Sequence, residues 1–317
     1  MHSSSRRPIK IGAVMPTNDG WLGGRTARWS DLKAMAQHAE AAGFDSLWVN
    51  DHLLFRLEGP TAPSNGIWEG WSILSALAAV TSRVELGTFV LCTSFRNPAL
   101  TAKMADTVDE ISAGRLILGL GAGWHEAEYR AFDYPFENRV SRFEEALQII
   151  HPLLRQGTVD FRGQYYSAAE CELRPRGPRP NGPPIMIGAK PNRPRVLRLA
   201  AQYADYWNMF HEPESLALAR AAVDAACTKA GRDPASLLRT VTVPVQLPGA
   251  DAEPSADWMQ RMLSSLAPPA RGTPEELAEF FRGLAREGVG HVQVMLEPNT
   301  MTGIDAFRPV LELLDRG

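Results

Sequence analysis

Seven histidines are the groups in this 317-residue chain best suited to moving a proton near neutral pH. One of them, His52, follows the apolar run Ser46-Leu47-Trp48-Val49-Asn50 directly, through Asp51. An imidazole held at the end of such a run can act as a proton donor or acceptor. The other reading is a hydrogen-bonded histidine that only stiffens its loop, and position alone weighs the two equally. His125, in Trp124-His125-Glu126, and His211 also lie just past apolar runs, with weaker claims, since the first can belong to a solvated loop. No pair of these histidines has metal-ligand spacing, so no metal site is expected. Cys92, Cys171 and Cys227 are far apart, which argues against both a zinc site and a disulfide framework. They read as small buried apolar residues in a reducing compartment.

Two further stretches have the chemistry of ligand contacts. Gly119-Leu120-Gly121-Ala122-Gly123 lacks the third glycine of a dinucleotide fingerprint at the right spacing, and a polar loop follows it. Small residues there instead let a flat ring approach the backbone. Gly188-Ala189-Lys190 precedes a helix with Arg193, Arg195 and Arg198 in its first turns. Backbone N–H groups at a helix start, with cations nearby, make an anion site; the alternative is a short turn and a solvated basic helix face. Trp21, Trp68, Trp71 and Trp124 occur in neighbouring loop segments, and several tryptophans together predict a pocket for a planar, largely apolar ligand.

These groups need elements to hold them. Apolar runs at 9–15, 46–50, 84–91, 115–120, 184–188, 206–209, 240–247 and 292–296 alternate with helix-period segments. Most are continuously apolar, as parallel strands covered on both faces must be. Helix signals lie between them: Ser30 as a cap with Gly43 behind, Asn97-Pro98 with Gly114 behind, and the capping box Thr273-Pro274-Glu275-Glu276 with Gly288 behind. Eight strand–helix pairs predict an α/β fold, a (β/α)8 TIM barrel with insertions in the strand-end loops; a doubly wound open sheet is the other arrangement. Residues 1–8 read as a flexible tail and 9–317 as a single barrel domain. Sites in such barrels lie at the C-terminal strand ends. That rule keeps His52, His125 and His211; it sets aside His291, which begins a strand, His38 and His151 inside helices, and His2 in the tail. The insertions 52–68 and 248–272 fall at the catalytic face. The insertion 157–183 predicts a hairpin, with strands 159–161 and 164–166 about Arg162-Gly163.

With 44% hydrophobic and 22% charged residues, the composition is that of a globular protein with a large core, and a net charge of −3 gives no pull toward nucleic acid or an anionic membrane. No apolar run is long enough to span a bilayer. Arg6-Arg7 invites a twin-arginine reading, but the run behind it is too short for a signal core, so a cytoplasmic location is expected.

In combination and in order, Ala42-Gly43-Phe44-Asp45-Ser46-Leu47-Trp48-Val49-Asn50-Asp51-His52, Leu86-Gly87-Thr88-Phe89-Val90, Arg96-Asn97-Pro98-Ala99 and Gly114 to Trp124 are similar to the bacterial-luciferase-like superfamily of flavin and deazaflavin oxidoreductases, over essentially the full chain. Pro184 to Gly188 and Ala204-Asp205-Tyr206-Trp207-Asn208 are later echoes. The resemblance implies the eight-stranded barrel. Its Asp51-His52 strand end resembles the branch that uses coenzyme F420 (8-hydroxy-5-deazaflavin), with His52 beside the ring assisting hydride transfer and Asp51 at the cofactor. It implies a strained bulge behind the ring near Phe89 and Val90, ring contact at Gly121 and Gly123, and the cofactor phosphate near Gly188, Ala189 and Lys190. The substrate pocket is expected at Trp21, Trp68, Trp124 and His125. One departure matters: the sugar-phosphate dehydrogenases of the family have a glutamate directly after the strand-four glycines, where this chain has Trp124. That argues against a sugar phosphate and for a small, more apolar substrate, with His125 or Glu126 as conjectural replacements for the missing acid. The alternatives are an FMN-dependent monooxygenase served by a separate flavin reductase, and a non-catalytic flavin-binding protein. The family leans toward homodimers, so a homodimer is expected.

Overall fold

The computed structural model describes residues 7–57, 59, 63–212, 214–247 and 253–316. Eight parallel strands carry the fold: β1 (Lys10–Val14), β2 (Ser46–Val49), β3 (Glu85–Thr88, resuming at Leu91–Cys92), β4 (Leu116–Gly121), β5 (Ile185–Gly188), β6 (Tyr206–Phe210), β7 (Leu238–Gln246) and β8 (Val289–Glu297). Each pairs with the next in sequence, and β8 pairs back onto β1, with Lys10 opposite His291. The sheet is therefore closed, a (β/α)8 barrel. Eight helices ring it: α1 (Trp29–Ala42), α2 (Gly70–Val80), α3 (Pro98–Ile111), α5 (Arg139–Gln156), α6 (Pro194–Tyr203), α7 (Leu216–Lys229), α9 (Pro274–Arg286) and α10 (Met301–Asp315). Two more, α4 (Glu126–Ala131) and α8 (Asp257–Leu266), stand in the strand-end loops. No helix among the described residues is long and apolar enough to cross a membrane.

Side chains on the two faces of each strand divide the core. Ile11, Leu47, Val49, Leu86, Leu116 and Leu118 join the helices in the main apolar cluster. The inward face is packed differently. A Cβ on Gly12 would lie 2.5 Å, and one on Gly87 2.2 Å, from the Trp48 indole, so glycines on both neighbouring strands make room for that one large ring. Also in the interior, the Asn208 side-chain amide donates to Gln293 Oε1 (2.7 Å) and to Thr240 Oγ1 (2.8 Å), linking three strands, while the Gln293 amide N–H stays unpaired.

The apolar run 84–91 forms a broken strand. Pairing stops after Thr88 and resumes at Leu91, and the Phe89–Val90 peptide bond is cis. The glycines of β4 accommodate the break. A Cβ on Gly119 would sit 2.0 Å from the Thr88 carbonyl oxygen, and one on Gly121 2.8 Å from a Val90 methyl.

Three local expectations need correction. Arg7 is no part of a free tail: its guanidinium donates to Asp315 (2.6 Å) and Asp45 (3.2 Å), tying the chain start to the last helix; residues 1–6 lie outside the described residues. The first helix starts at Trp29, so Ser30 stands inside its first turn, and the Asp31 carboxylate accepts the Arg28 N–H instead. The hairpin's first strand, Thr158–Arg162, covers the expected 159–161, but its second is Ser167–Glu172, later than the expected 164–166, because Glu145 of α5 accepts the amides of Gln164, Tyr165 and Tyr166 and holds them as a loop.

At the N-terminal end of the barrel, His291 Nε2 meets Ser46 Oγ (2.7 Å), which also accepts the Trp48 indole N–H (2.8 Å). Complete burial, with Lys10 nearby, lowers the His291 imidazole to about 3. The unfolded chain takes up that proton near pH 6.5, so below that pH it binds more protons than the fold does. Stability therefore falls with pH, by up to about 1.4 kcal/mol per unit, until the folded pKa is reached. We expect unfolding free energy to drop more steeply between pH 6.5 and 4 in the wild type than in His291→Gln, measured by urea denaturation; parallel slopes would contradict this.

Candidate active site

Beyond β2 the chain stays buried through Asn50 and Asp51 and then turns His52 to the barrel mouth, with 17% of its side chain exposed. Its Nδ1 lies 2.9 Å from Glu128 Oε1, and the Leu53 N–H donates to Glu128 Oε2 at 2.9 Å. Glu128 comes from α4 and is 1% exposed. A carboxylate is acceptor-only, so the Nδ1 of His52 carries the shared hydrogen and Nε2 is the nitrogen that Glu128 does not engage. The ring is also fixed sideways, against Phe55 (centroids 4.4 Å apart) and the edge of Trp124 (5.5 Å).

Asp51, expected at the cofactor, is buried with both carboxylate oxygens engaged by the protein. Both its oxygens accept from the Arg96 guanidinium (2.8 Å each), and Oδ2 also accepts the Cys92 N–H (2.8 Å). Arg96 reaches Glu69 as well; burial opposes its charge, but the two carboxylates outweigh burial and raise its pKa. This buried pair ties the end of β2 to the end of β3. His125 is likewise structural: its Nε2 accepts the Arg56 N–H (3.0 Å), and burial lowers its pKa. Its Nε2 is committed to that amide, which ties the ring to the loop after β2. His211 packs edge-on against Phe280 of α9, in the helix layer.

The glycines of strand four prove to be packing devices. Gly121 clears Val90, and Gly123, at φ +74, admits the Tyr129 hydroxyl, which would lie 2.0 Å from a Cβ. The space proposed for a ring is filled by side chains. Gly188 differs: a Cβ there would meet nothing within 4 Å, so the end of β5 is open. Ala189 is buried, with its N–H on Asn208 O, and Lys190 is exposed, 3.7 Å from Glu212. Arg195 and Arg198 turn sideways to Glu144 of α5, which removes them from the proposed anion site.

The mouth has a roof. Met259 and Leu263 of α8 are buried in one apolar cluster with Val14, Trp48, Ile117, Met186 and Met295 from the barrel interior. The helix is held at its start, where the Ser255 N–H and hydroxyl donate to Glu297 at the end of β8 (2.8 and 2.5 Å) and the Ala256 N–H donates to Gly20 O (2.8 Å). Phe89, Val90, Phe210, Met262 and Leu266 pack on this cluster but are only partly buried, so apolar surface lines the cleft between α8 and the strand ends. Trp21 is fully buried beneath α8 and offers no open face. Trp68 is 43% exposed at the rim, its indole N–H on Ala27 O (2.7 Å). Trp124, 54% exposed, stands beside His52.

Sequence reading missed Glu128, Phe55 and Trp258, the last of which meets Phe55 at 5.9 Å. Glu128 lies 76 positions from His52, and only the fold brings them together. The motif order around His125 could have flagged it as one of two glutamates flanking the start of a short helix, but not as the partner.

A sequence model described as luciferase-like monooxygenase matches residues 9–291. The chain is 36% identical over 180 residues to an F420-dependent glucose-6-phosphate dehydrogenase of Amycolatopsis mediterranei, covering 55% of this chain and 51% of that protein. It is 31% identical over 239 residues to a pyrimidine monooxygenase RutA of Stutzerimonas stutzeri, covering 71% and 65%. The chain thus matches between about half and two thirds of the length of these relatives. In structure it superposes with a TM-score of 0.77 on an F420-dependent secondary alcohol dehydrogenase in complex with an F420-acetone adduct, at 19% identity, covering 96% of this chain and 99% of that one. That likeness concerns the fold.

The Asp51–Arg96 pair carries a stability prediction. Removing one partner of a buried pair costs about 3–5 kcal/mol when the other charge is left uncompensated; Arg96 keeps Glu69 when Asp51 is neutralised, so the cost here is smaller. We expect Asp51→Asn to lower the unfolding free energy by roughly 2 kcal/mol, read by urea denaturation of the ligand-free protein. An unchanged midpoint would return Asp51 to the ligand.

Proposed function

The chain belongs to the luciferase-like monooxygenase family, and on that premise we propose that it is a hydride-transfer oxidoreductase that works with coenzyme F420 on a small, uncharged organic substrate. The observation that carries the reading is the His52–Glu128 pair, which leaves one defined nitrogen at the mouth of a barrel whose cleft is apolar. The cofactor residues fit a flat ring with a phosphate. Phe89, Val90, Phe210, Met262 and Leu266 offer apolar surface to a ring, and Gly188 leaves open space at a strand end beside Lys190. When bound, the deazaflavin supplies a two-electron hydride donor or acceptor.

The chain's own part is then proton handling and exclusion of water. His52 Nε2 gives a proton to the substrate oxygen as the hydride arrives at carbon, or takes it in the reverse direction. Glu128 keeps the imidazole in the tautomer and orientation that the step needs, as a carboxylate behind a working histidine does. Phe55 and Trp124 hold the ring in place and, with α8 above, keep the cleft dry, which strengthens each polar interaction inside it. Trp124 adds an exposed indole next to the proton donor, in keeping with an apolar substrate.

A second reading has its own support. The match to the pyrimidine monooxygenase runs over more of the chain than the match to the F420 enzyme. It favours an FMN-dependent monooxygenase fed by a separate flavin reductase, in which the same His52 would manage the proton.

Titrating the purified protein with F420 and with FMN, followed by fluorescence, tests both. We expect F420 to bind more tightly. We expect His52→Ala to keep cofactor affinity within about twofold while the oxidation of reduced F420 by a panel of ketones and enones falls about a hundredfold or more, with Glu128→Gln between the two. Binding of FMN alone would transfer the reading to the monooxygenase, and binding of neither would end both.

A further inference from the structure

Two buried hydrogen-bond donors on the connection between β1 and α1 have no acceptor among the described residues: the indole N–H of Trp21 and the side-chain amide N–H of Asn18. Both residues are fully buried. A buried N–H left unpaired loses its hydration with nothing in return, so native structures rarely keep one without a purpose. Two such donors within one short loop are harder still to account for by packing alone.

Their placement is informative. The parallel register of β1 on β2 sets Val14 opposite Trp48, and the Met15 N–H donates to Trp48 O beyond it. This carries Asn18 to the end of β2. There its Oδ1 accepts from Asn50 Nδ2 (3.5 Å) and from Thr17 Oγ1 (3.4 Å), which leaves Nδ2 as the free end of the amide. Asn50 stands two residues before His52, so Asn18 lies on the same side of the mouth as the proposed proton donor. Trp21, three residues on, is packed among Val14, Trp48, Met295 and α8's Met259 and Leu263, and its carbonyl lies 3.3 Å from the Ser255 hydroxyl at the start of α8. Both donors are therefore buried near the strand ends, with Trp21 directly beneath α8.

The chemistry of the missing acceptor follows from these surroundings. Trp and Asn are neutral donors, and the walls around Trp21 are apolar. An anion would give up its hydration for two neutral hydrogen bonds, an unfavourable exchange in such a place. A carbonyl oxygen has two lone pairs, no formal charge and a flat approach, and it suits neutral N–H donors in apolar surroundings. We propose that Asn18 and Trp21 receive a carbonyl oxygen of a ligand bound in the mouth, positioning that ligand on the side of the cleft next to His52. The inference rests on the reading of the mouth as a cofactor and substrate site. The oxygen can come from a carbonyl of the cofactor ring or from a carbonyl substrate. Because α8 covers Trp21 in this structure, the oxygen arrives together with a shift of that helix.

The test removes each donor without removing volume. In the full chain, Trp21 is replaced by benzothienylalanine, in which sulfur stands where the indole N–H was, and separately Asn18→Leu is made. Each is compared with the wild type for the ligand-free melting temperature, for F420 affinity by fluorescence, and for binding of cyclohexanone, a neutral ketone, by ligand-observed NMR. The benzothienylalanine protein should melt at the same temperature or higher, because an unpaired donor has gone. Affinity for one of the two ligands should fall about five- to tenfold, the worth of one neutral hydrogen bond. A loss toward F420 assigns the cofactor carbonyl, and a loss toward cyclohexanone alone assigns the substrate carbonyl. A ligand-free melting temperature several degrees lower in the benzothienylalanine protein would mean that the N–H serves the fold, and would overturn the proposal. So would unchanged affinity for both ligands in both variants. If the wild type itself fails to bind F420, the cofactor reading falls, while the melting temperature and the ketone measurement still decide this one.

Discussion

A buried glutamate holds the site together. Glu128 is almost wholly hidden from solvent, and its two oxygens reach two consecutive residues of another loop, the His52 imidazole and the Leu53 N–H. A carboxylate in that position is tolerable only with both oxygens bonded, so the geometry of the loop after β2 and that of the short helix after β4 depend on one another. Packing then confirms what the hydrogen bonds set: Phe55 and Trp124 close on the histidine ring from two sides, and His125, at the start of the same short helix, accepts the Arg56 N–H of the first loop. One loop carries the His52 imidazole and the other decides how it points.

The barrel supplies the frame for that dependence. Parallel strands deliver the ends of β2, β3 and β4 to one rim, and each of those ends is pinned by a different device. The Asp51–Arg96 pair joins β2 to β3. The break in β3 projects Phe89 and Val90 toward the cleft, with Gly119 and Gly121 clearing space behind it. Across the mouth, Glu297 at the end of β8 anchors the start of α8, whose methionine and leucine side chains complete the apolar interior. A rigid rim with an apolar roof is what a proton donor needs if water is to be kept from the reaction.

Much of this was legible in the residues, and the pattern of success has a physical cause. The eight strands were readable because a strand covered on both faces must be apolar throughout, and the caps at Asn97 and Thr273 because a side-chain oxygen satisfies the first free amides wherever it occurs. His52 was readable from its place after a strand. What escaped was long-range. Asp51 and Arg96 are 45 positions apart, and nothing local says that the carboxylate turns from the ligand to the guanidinium. Arg195 and Arg198 looked like an anion site until Glu144, more than 50 positions away, claimed both. The strand-four glycines looked like room for a ring until Val90 and Tyr129 were found in that room. Trp21 read as an open aromatic face because no local signal announces that α8, over 230 positions later, lies on top of it.

Proton transfer at the mouth depends on which nitrogen of His52 bears the hydrogen. Nitrogen-15 NMR of the histidine-labelled, ligand-free protein, compared with Glu128→Gln to assign the signal, reads this directly. We expect the His52 Nδ1 to carry a hydrogen shifted strongly downfield by the Glu128 carboxylate, and to lose that shift in the variant. A His52 protonated on Nε2 alone, with a signal that Glu128→Gln leaves unchanged, would contradict it.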